Sequence, residues 1–186
     1  LIYFLSVGRI VHDKGMDELL NAFIRLYSIN PAVRLVLVGA FEDEVDPVSE
    51  KTRQLINTHP AVIMAGWSDA VEYFMPLSFA LVHPSHREGF PNVLLQAGAM
   101  GCPVICSRID GNIDIVKHQQ TGLIFEVKNE DELYSQLKYA LENPAILHQY
   151  ATTLRQQIEQ YFDQPIVHSL LHKKYMELLA AQGFSA

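Results

Sequence analysis

The feature that most constrains this chain is an alternation. Short apolar runs recur along it: IYFLSVG (2–8), VRLVLVG (33–39), AVIMAG (61–66), SFALVHPS (78–85), PVICS (103–107) and GLIFEV (122–127). The first three end at Gly, and each reads as a buried strand. Between them lie stretches with helical spacing. In DKGMDELLNAFIRLYSINP (13–31), Met16, Leu19, Leu20, Phe23 and Tyr27 recur three or four residues apart, and Asn30-Pro31 stops the helix. Residues 47–58 read as a helix, 68–76 as a short one, and 91–101 as one with Pro at its first turn and Gly at its end. Another begins after Gly111, and from 130 onward the pattern is helical over 130–142, 144–162 and 166–181. Strands alternating with helices imply an α/β fold, a doubly wound parallel sheet of about six strands with helices on both faces and a helical C-terminal tail. The expected division is a sheet domain over 1–162 and a tail helix over 163–186.

In such a sheet, ligands sit beyond the carboxyl ends of the strands, near the switch in strand order. Three stretches occupy that position. In VGRIVHDKG (7–15), Arg9 and Lys14 flank a loop that leads into a helix. Arg offers a planar fork for phosphate oxygens and Lys a point charge. The net charge of the chain is −7. That argues against a nucleic-acid surface and makes two cations at a strand end notable, although a solvated surface Arg and Lys would look the same.

The second stretch is HREGFPNVLLQAGAMG (86–101). The helix opening near Pro91 presents free amides and a positive dipole end, an anion site in itself. Gly89 lets backbone approach a ligand, and Glu88 stands just before the positive end, where it could equally be a plain dipole partner. Gln96, one turn in from Asn92, can lean back toward the same ligand or simply face solvent. The third stretch is IDGNIDIV (109–116), which could line the same cleft or form a turn and cap.

Other features read as ordinary. FEDEVDPVSE (41–50) carries five carboxylates without compact ligand spacing and reads as a solvated loop. His83 and His86 lack a third ligand and read as structural, and His12 is uninformative. Cys102 and Cys106 face one way from a strand and read as reduced core thiols. No apolar run approaches the ~20 residues of a membrane span, and no signal peptide is seen at the start. The opening on LIYFLSVGRI, without Met, reads as a piece of something longer.

The order of VGRIVHDKG, LVLVG, AGWSDAVEYF, SFALVHPSHREGFPNVLLQAGAMGCPVICS and DGNIDIV…TGLIFE resembles the C-terminal, donor-binding domain of retaining glycosyltransferases. The family is the one called glycosyl transferases group 1, with the GT-B fold, of which one Rossmann-like half would be present. The resemblance covers roughly residues 3–140. It implies a site for a nucleoside-diphosphate sugar. Arg9 and Lys14 match the family's basic pair on the diphosphate. Glu88 matches the first Glu of its Glu-(seven residues)-Glu motif, which contacts the sugar hydroxyls. Gly89, Phe90, Pro91, Asn92 and Val93 match the turn whose amides meet sugar and phosphate. The base would lie near Ala65–Trp67.

The resemblance further implies transfer of a hexosyl-type sugar to a glycan or lipid-linked acceptor, in polysaccharide or cell-surface glycan synthesis. Glu88, Arg9 and Lys14 would carry catalysis, with no metal or other cofactor required. The acceptor would be held by an N-terminal domain not found in this sequence. The setting would be cytoplasmic, with peripheral association of the full-length protein at the membrane face. This sequence departs from the pattern in two places. Gln96 stands where the motif has its second Glu, the partner of the ribose, and Asp114 where Glu is common. Gln96 is the best support for a rival reading, a non-catalytic nucleotide-sugar binding module. A dinucleotide oxidoreductase is disfavoured, because no G-x-G-x-x-G follows the first strand. The tail helix (Val167, Leu170, Leu171, Met176, Leu179) would expose an apolar face for the N-terminal domain, or pack on its own sheet.

Overall fold

The computed structural model describes residues 1–44 and 46–181. Six strands form one sheet: β1 (Ile2–Val7), β2 (Val33–Val38), β3 (Val62–Gly66), β4 (Ala80–His83), β5 (Val104–Ser107) and β6 (Leu123–Phe125). All neighbours pair in parallel, in the order β3-β2-β1-β4-β5-β6. Registers such as Phe4 with Leu35 and Leu5 with Leu81 place apolar residues opposite one another across the middle of the sheet. Phe4, Leu5, Leu35, Leu81, Val82 and Ile105 are fully buried. Their apolar character along the whole strand is what burial on both faces requires.

The helices are α1 (Met16–Ile29), α2 (Glu50–Thr58), α3 (Asn92–Ala99), α4 (Asp110–Ile115), α5 (Glu130–Glu142), α6 (Pro144–Tyr161) and α7 (Gln164–Ala181). On one face of the sheet α1, α2 and α5 enclose a core with Phe4, Leu19, Phe23, Leu35 and Leu137. On the other, α3 and α6 cover Leu5, Leu81 and Val104 with Leu94, Ala97, Leu154 and Ile158. The doubly wound architecture expected from the alternation is therefore what forms.

Several boundaries differ, each for a local reason. The first helix starts at Met16, because a 3₁₀ turn at His12–Lys14 ends on Gly15 with φ 68°. The second starts at Glu50, where the Ser49 side chain accepts from the Thr52 N–H and caps it. The helix expected over 68–76 is instead two 3₁₀ turns, Val71–Tyr73 and Met75–Leu77. Pro76 has no N–H to continue an α ladder there. The helix opening near Pro91 has Pro91 as its cap residue and runs only to Ala99, followed by Gly101 at φ 69°.

The tail behaves unlike the rest. Helix α6 buries Leu147, Ala151, Leu154 and Ile158. Helix α7 leaves Val167, Leu170, Leu171, Tyr175, Leu178 and Leu179 exposed, and it does not pack on its own sheet. Residues 182–186 of the expected tail segment lie outside the described residues. No described helix is long and apolar enough to cross a membrane.

Candidate functional site

The strand order reverses between β1 and β4, which lie side by side at the centre of the sheet. The loops that leave their carboxyl ends face one another: Gly8–Gly15 after β1 and Pro84–Pro91 after β4. Their approach is close. A Cβ on Gly15 would overlap the Pro84 carbonyl oxygen, and Gly15 holds a left-handed φ that disfavours any other residue. Backbone and side chains then lace the loops together. The His86 N–H donates to the Asp13 carbonyl at 2.8 Å, and Arg87 Nε donates to the Asp13 carboxylate at 2.7 Å.

Lys14 and Glu88 meet across this seam. Their ion pair is mostly shielded, with side chains 19% and 17% exposed. The Ser85 hydroxyl donates to the same Glu88 Oε1 at 2.9 Å. The buried His83 places Nε2 3.3 Å from it, off the line of a hydrogen bond. Burial alone would push the Glu88 carboxyl up. The contacts from His83, Lys14 and Ser85 outweigh it and hold the group at about 2, so it is ionised at neutral pH.

Arg9 lies at the other end of the cleft, where its guanidinium donates to Glu42 at 2.9 Å. Both residues line a cavity of about 250 Å³ with Gly8, Gly39, Trp67 and Val71. Trp67 is 73% exposed and forms its rim. The residues expected near a base, Ala65–Trp67, thus end strand β3 beside the cavity that Arg9 enters.

Between these ends, the turn Gly89–Pro91 leads into α3. No side chain caps the helix, and among the described residues no partner is found for the Asn92 or Val93 N–H. Unpaired amides at a helix start are an anion-binding feature. All of these residues leave the carboxyl ends of β1 and β4: Arg9 lines the cavity beside Trp67, Lys14 meets Glu88 across the loop seam, Gly89–Pro91 lead into the first turn of α3 with Asn92 and Val93, and the Phe90 ring lies 5.9 Å from that of Phe162.

Gln96 is placed differently. It is exposed on α3 and lines a shallow depression with Leu95, Ala99, Ile158, Glu159, Phe162 and Asp163. Among the described residues no hydrogen bond joins its side chain to Arg9, Lys14 or Glu88.

Some residues at the site carried no signal in the sequence. His83, read as structural, ends β4 and lies against Glu88 because the loop that follows the strand folds back over it. Ser85 and Ser107 are small polar residues of common type, yet both are fully buried here. The acidic segment 41–50 is less solvated than its composition suggests. Glu42 pairs with Arg9, Asp43 with Arg53, and Asp46 accepts from the Asp13 N–H at 2.6 Å. Their partners come from distant positions, so composition alone could not reveal them. His86 is held by Glu18 at 3.1 Å, and His12 by Asp17 at 2.9 Å. Cys102 and Cys106 are buried free thiols, and burial pushes Cys102 up to about 12 and Cys106 higher still. No group of three or more metal-binding side chains is found among the described residues.

The family model for glycosyl transferases group 1 matches residues 1–161. The chain belongs to that family. It is 29% identical over 174 residues to the capsular polysaccharide biosynthesis glycosyltransferase CapM of Staphylococcus aureus, covering 93% of this chain and 45% of CapM. It is 30% identical over 176 residues to the glycogen synthase of Mycobacterium tuberculosis, covering 92% of this chain and 42% of that protein. This group 1 sequence therefore spans less than half the length of those relatives. Among solved structures it is similar to a sucrose-phosphate synthase from Thermosynechococcus elongatus, with TM-score 0.84, 25% identity, and coverage of 97% of this chain and 46% of that one. It also shares its fold with Anabaena HepE in complex with UDP and glucose, with TM-score 0.83, 21% identity, and coverage of 94% and 48%. The architecture is that of one half of a GT-B glycosyltransferase.

Proposed function

We propose that this chain is the donor-binding half of a retaining glycosyltransferase, taking a hexosyl-type sugar from a nucleoside diphosphate. The observation that carries the reading is the Lys14–Glu88 pair, set at the sheet's switch point beside the unpaired amides of α3. Arg9 and Lys14 take the diphosphate, and the Asn92 and Val93 amides add to that charge stabilisation as the leaving group departs. Glu88 stays ionised and orients the sugar hydroxyls. When Lys14 turns toward phosphate, His83 and Ser85 still hold the carboxylate, so the acidic group is not left unpartnered. The cavity beside Trp67 receives the base. Two cations and helix amides neutralise the diphosphate, so no metal is needed in this scheme.

The remainder of the reading rests on the family and on the relatives' functions. The acceptor is a glycan or lipid-linked sugar, bound by an N-terminal domain on the cytoplasmic side, with peripheral attachment of the full-length protein to the membrane. The sheet domain is residues 1–162, and the segment 163–186 packs on that N-terminal domain. The exposed apolar residues Val167, Leu170, Leu171, Tyr175 and Leu178 recur at helical spacing on one side of α7, which suits a helix that lays that face on a partner domain. This half by itself should bind donor without turnover.

Calorimetric titration with UDP, GDP and ADP tests the reading. Arg9→Ala and Lys14→Ala should each weaken the tightest of the three by roughly ten- to a hundredfold, the worth of a hydrogen bond to a charged group. Binding undiminished in both variants would remove the phosphate assignment. One observation favours a second reading, a non-catalytic nucleotide-sugar module: Gln96 faces the depression beside α6 and makes no bond to the site. A transfer assay on the full-length protein separates the two.

A further inference from the structure

Behind Glu88 lies a line of buried polar groups that none of the preceding roles requires. Ser85, Ser107 and Asn112 are each 0% exposed. The Asn112 amide, on the first turn of α4, donates through Nδ2 to the Ser107 carbonyl at 2.9 Å and to the Ser107 hydroxyl at 3.1 Å. The Ser107 hydroxyl, at the end of β5, donates in turn to the Ser85 carbonyl. The Ser85 hydroxyl donates to Glu88 Oε1 at 2.9 Å. Every bond in the series runs in one direction, from Asn112 toward the carboxylate.

The directions matter, because each hydroxyl has a single proton. By donating to the Ser107 oxygen, Asn112 leaves the Ser107 proton no better use than the Ser85 carbonyl. That bond anchors the backbone of residue 85. The Ser85 proton then has three acceptors in reach, Glu88 Oε1 at 2.9 Å, the Arg87 carbonyl at 3.1 Å and the Asp13 carbonyl at 3.5 Å. A shift of a few tenths of an ångström at residue 85 decides which one receives it. Asn112 does this at a cost, since its own Oδ1 is buried without a partner. An apolar side chain would fill the same place, beside Ile115 and Val116, with no orphaned oxygen. The start of α4 is also pressed against the turn that follows Glu88. A Cβ on Gly111 would lie 2.8 Å from the Gly89 carbonyl oxygen and 3.1 Å from that of Glu88.

We infer that Asn112 is a positioning residue for Glu88, acting through Ser107 and Ser85 to hold the carboxylate toward the donor sugar. This rests on the reading of Glu88 as the sugar-facing group. Asn112 touches no ligand itself. Its effect falls chiefly on the sugar, because the series ends at Glu88 and includes neither Arg9 nor the α3 amides; it reaches the diphosphate only through Lys14, which turns from the same Glu88 oxygen to phosphate when the donor binds.

The test uses one nucleoside diphosphate, the tightest of UDP, GDP and ADP, together with its glucose conjugate. The quantity read is the ratio of the two affinities in the parent, Asn112→Ala, Ser107→Ala, Glu88→Gln and the Asn112→Ala/Glu88→Gln double variant. Losing one neutral hydrogen bond to the carboxylate should lower the preference for the conjugate about three- to tenfold in Asn112→Ala. Ser107→Ala removes a single oxygen and should give the same loss, which covers the case in which Asn112→Ala does not fold. The double variant should match Glu88→Gln, since the two residues act in series. A merely structural Asn112 would lower both affinities together and leave the ratio alone. An unchanged ratio in Asn112→Ala and Ser107→Ala, beside a lowered one in Glu88→Gln, overturns the inference and leaves the donor reading standing. An unchanged ratio in Glu88→Gln removes Glu88 from the sugar, and this inference falls with it.

Discussion

Lys14 and Arg9 stand on the same loop, and each is paired with a carboxylate, yet water reaches the two pairs very differently. The Lys14 and Glu88 side chains are 19% and 17% exposed, and Ser85 and His83 crowd the same oxygen. The Arg9 and Glu42 side chains are 50% and 40% exposed, at the rim of the cavity. In water-poor surroundings an ion pair fixes a geometry, and breaking it strands a charge. At an exposed rim the same pairing is weak and screened by salt. One end of the site is therefore a built seam between two loops, and the other is a solvent-exposed pair of charges that a ligand can replace at little cost.

The seam depends first on backbone contact, so the largest effect expected is that of Gly15→Ala. The new Cβ would meet the Pro84 carbonyl and force a left-handed φ on Ala, together about 3 kcal/mol of lost stability in denaturant unfolding. A near-parental midpoint would mean that the loops are not held together there. Next comes the direct contrast. Lys14→Met should cost about 2–3 kcal/mol by leaving Glu88 short of its main cation, whereas Arg9→Met should stay within about 0.5 kcal/mol of the parent. Equal losses would erase the distinction between the two ends.

The contrast has a pH signature. The Glu88 carboxyl is lowered from 4.5 to about 2 in the folded state. Such a group contributes stability above its unfolded value and loses that contribution as pH falls through its folded one. The stability difference between the parent and Glu88→Gln should therefore be constant above pH 4.5 and shrink steadily toward pH 2. Glu42→Gln, at the exposed end, should stay within about 0.5 kcal/mol of the parent at neutral pH. A Glu88 difference that did not change with pH would mean that the carboxylate is free in solution.

The smallest effect expected concerns Gln96. If the residue reaches the ribose on binding, Gln96→Glu should strengthen that bond by about 1 kcal/mol, less any repulsion from the diphosphate. Removing both ribose hydroxyls, with a 2′,3′-dideoxy nucleotide, should then cost more in Gln96→Glu than in the parent. An equal penalty would place Gln96 wholly with the depression beside α6, where it is found in this structure.

The sheet was legible because parallel strands buried on both faces must be apolar throughout, and that pattern is written locally in runs such as VRLVLVG and SFALVHPS. The glycines that end them and the helical spacing between them are local too. Arg9, Lys14 and the turn from Glu88 to Val93 could be read for the same reason: a strand end, a helix start and a charge are neighbours in sequence. Local pattern was least sure at helix boundaries. Pro76 and Gly15 overrode a periodicity that, taken alone, extended too far.

The sequence by itself determined the strands, the doubly wound class and the charges available at the carboxyl edge. It did so because burial and backbone geometry act over a few residues at a time. Tertiary structure alone decided which charge meets which. Lys14 is 74 positions from Glu88, and Arg9 is 33 from Glu42. Ser107 reaches Ser85 only because β4 and β5 are adjacent. Pairings of that kind depend on the order of strands in the sheet, and an ion pair or a shared proton falls off within a few ångströms. No spacing along the chain records such a distance.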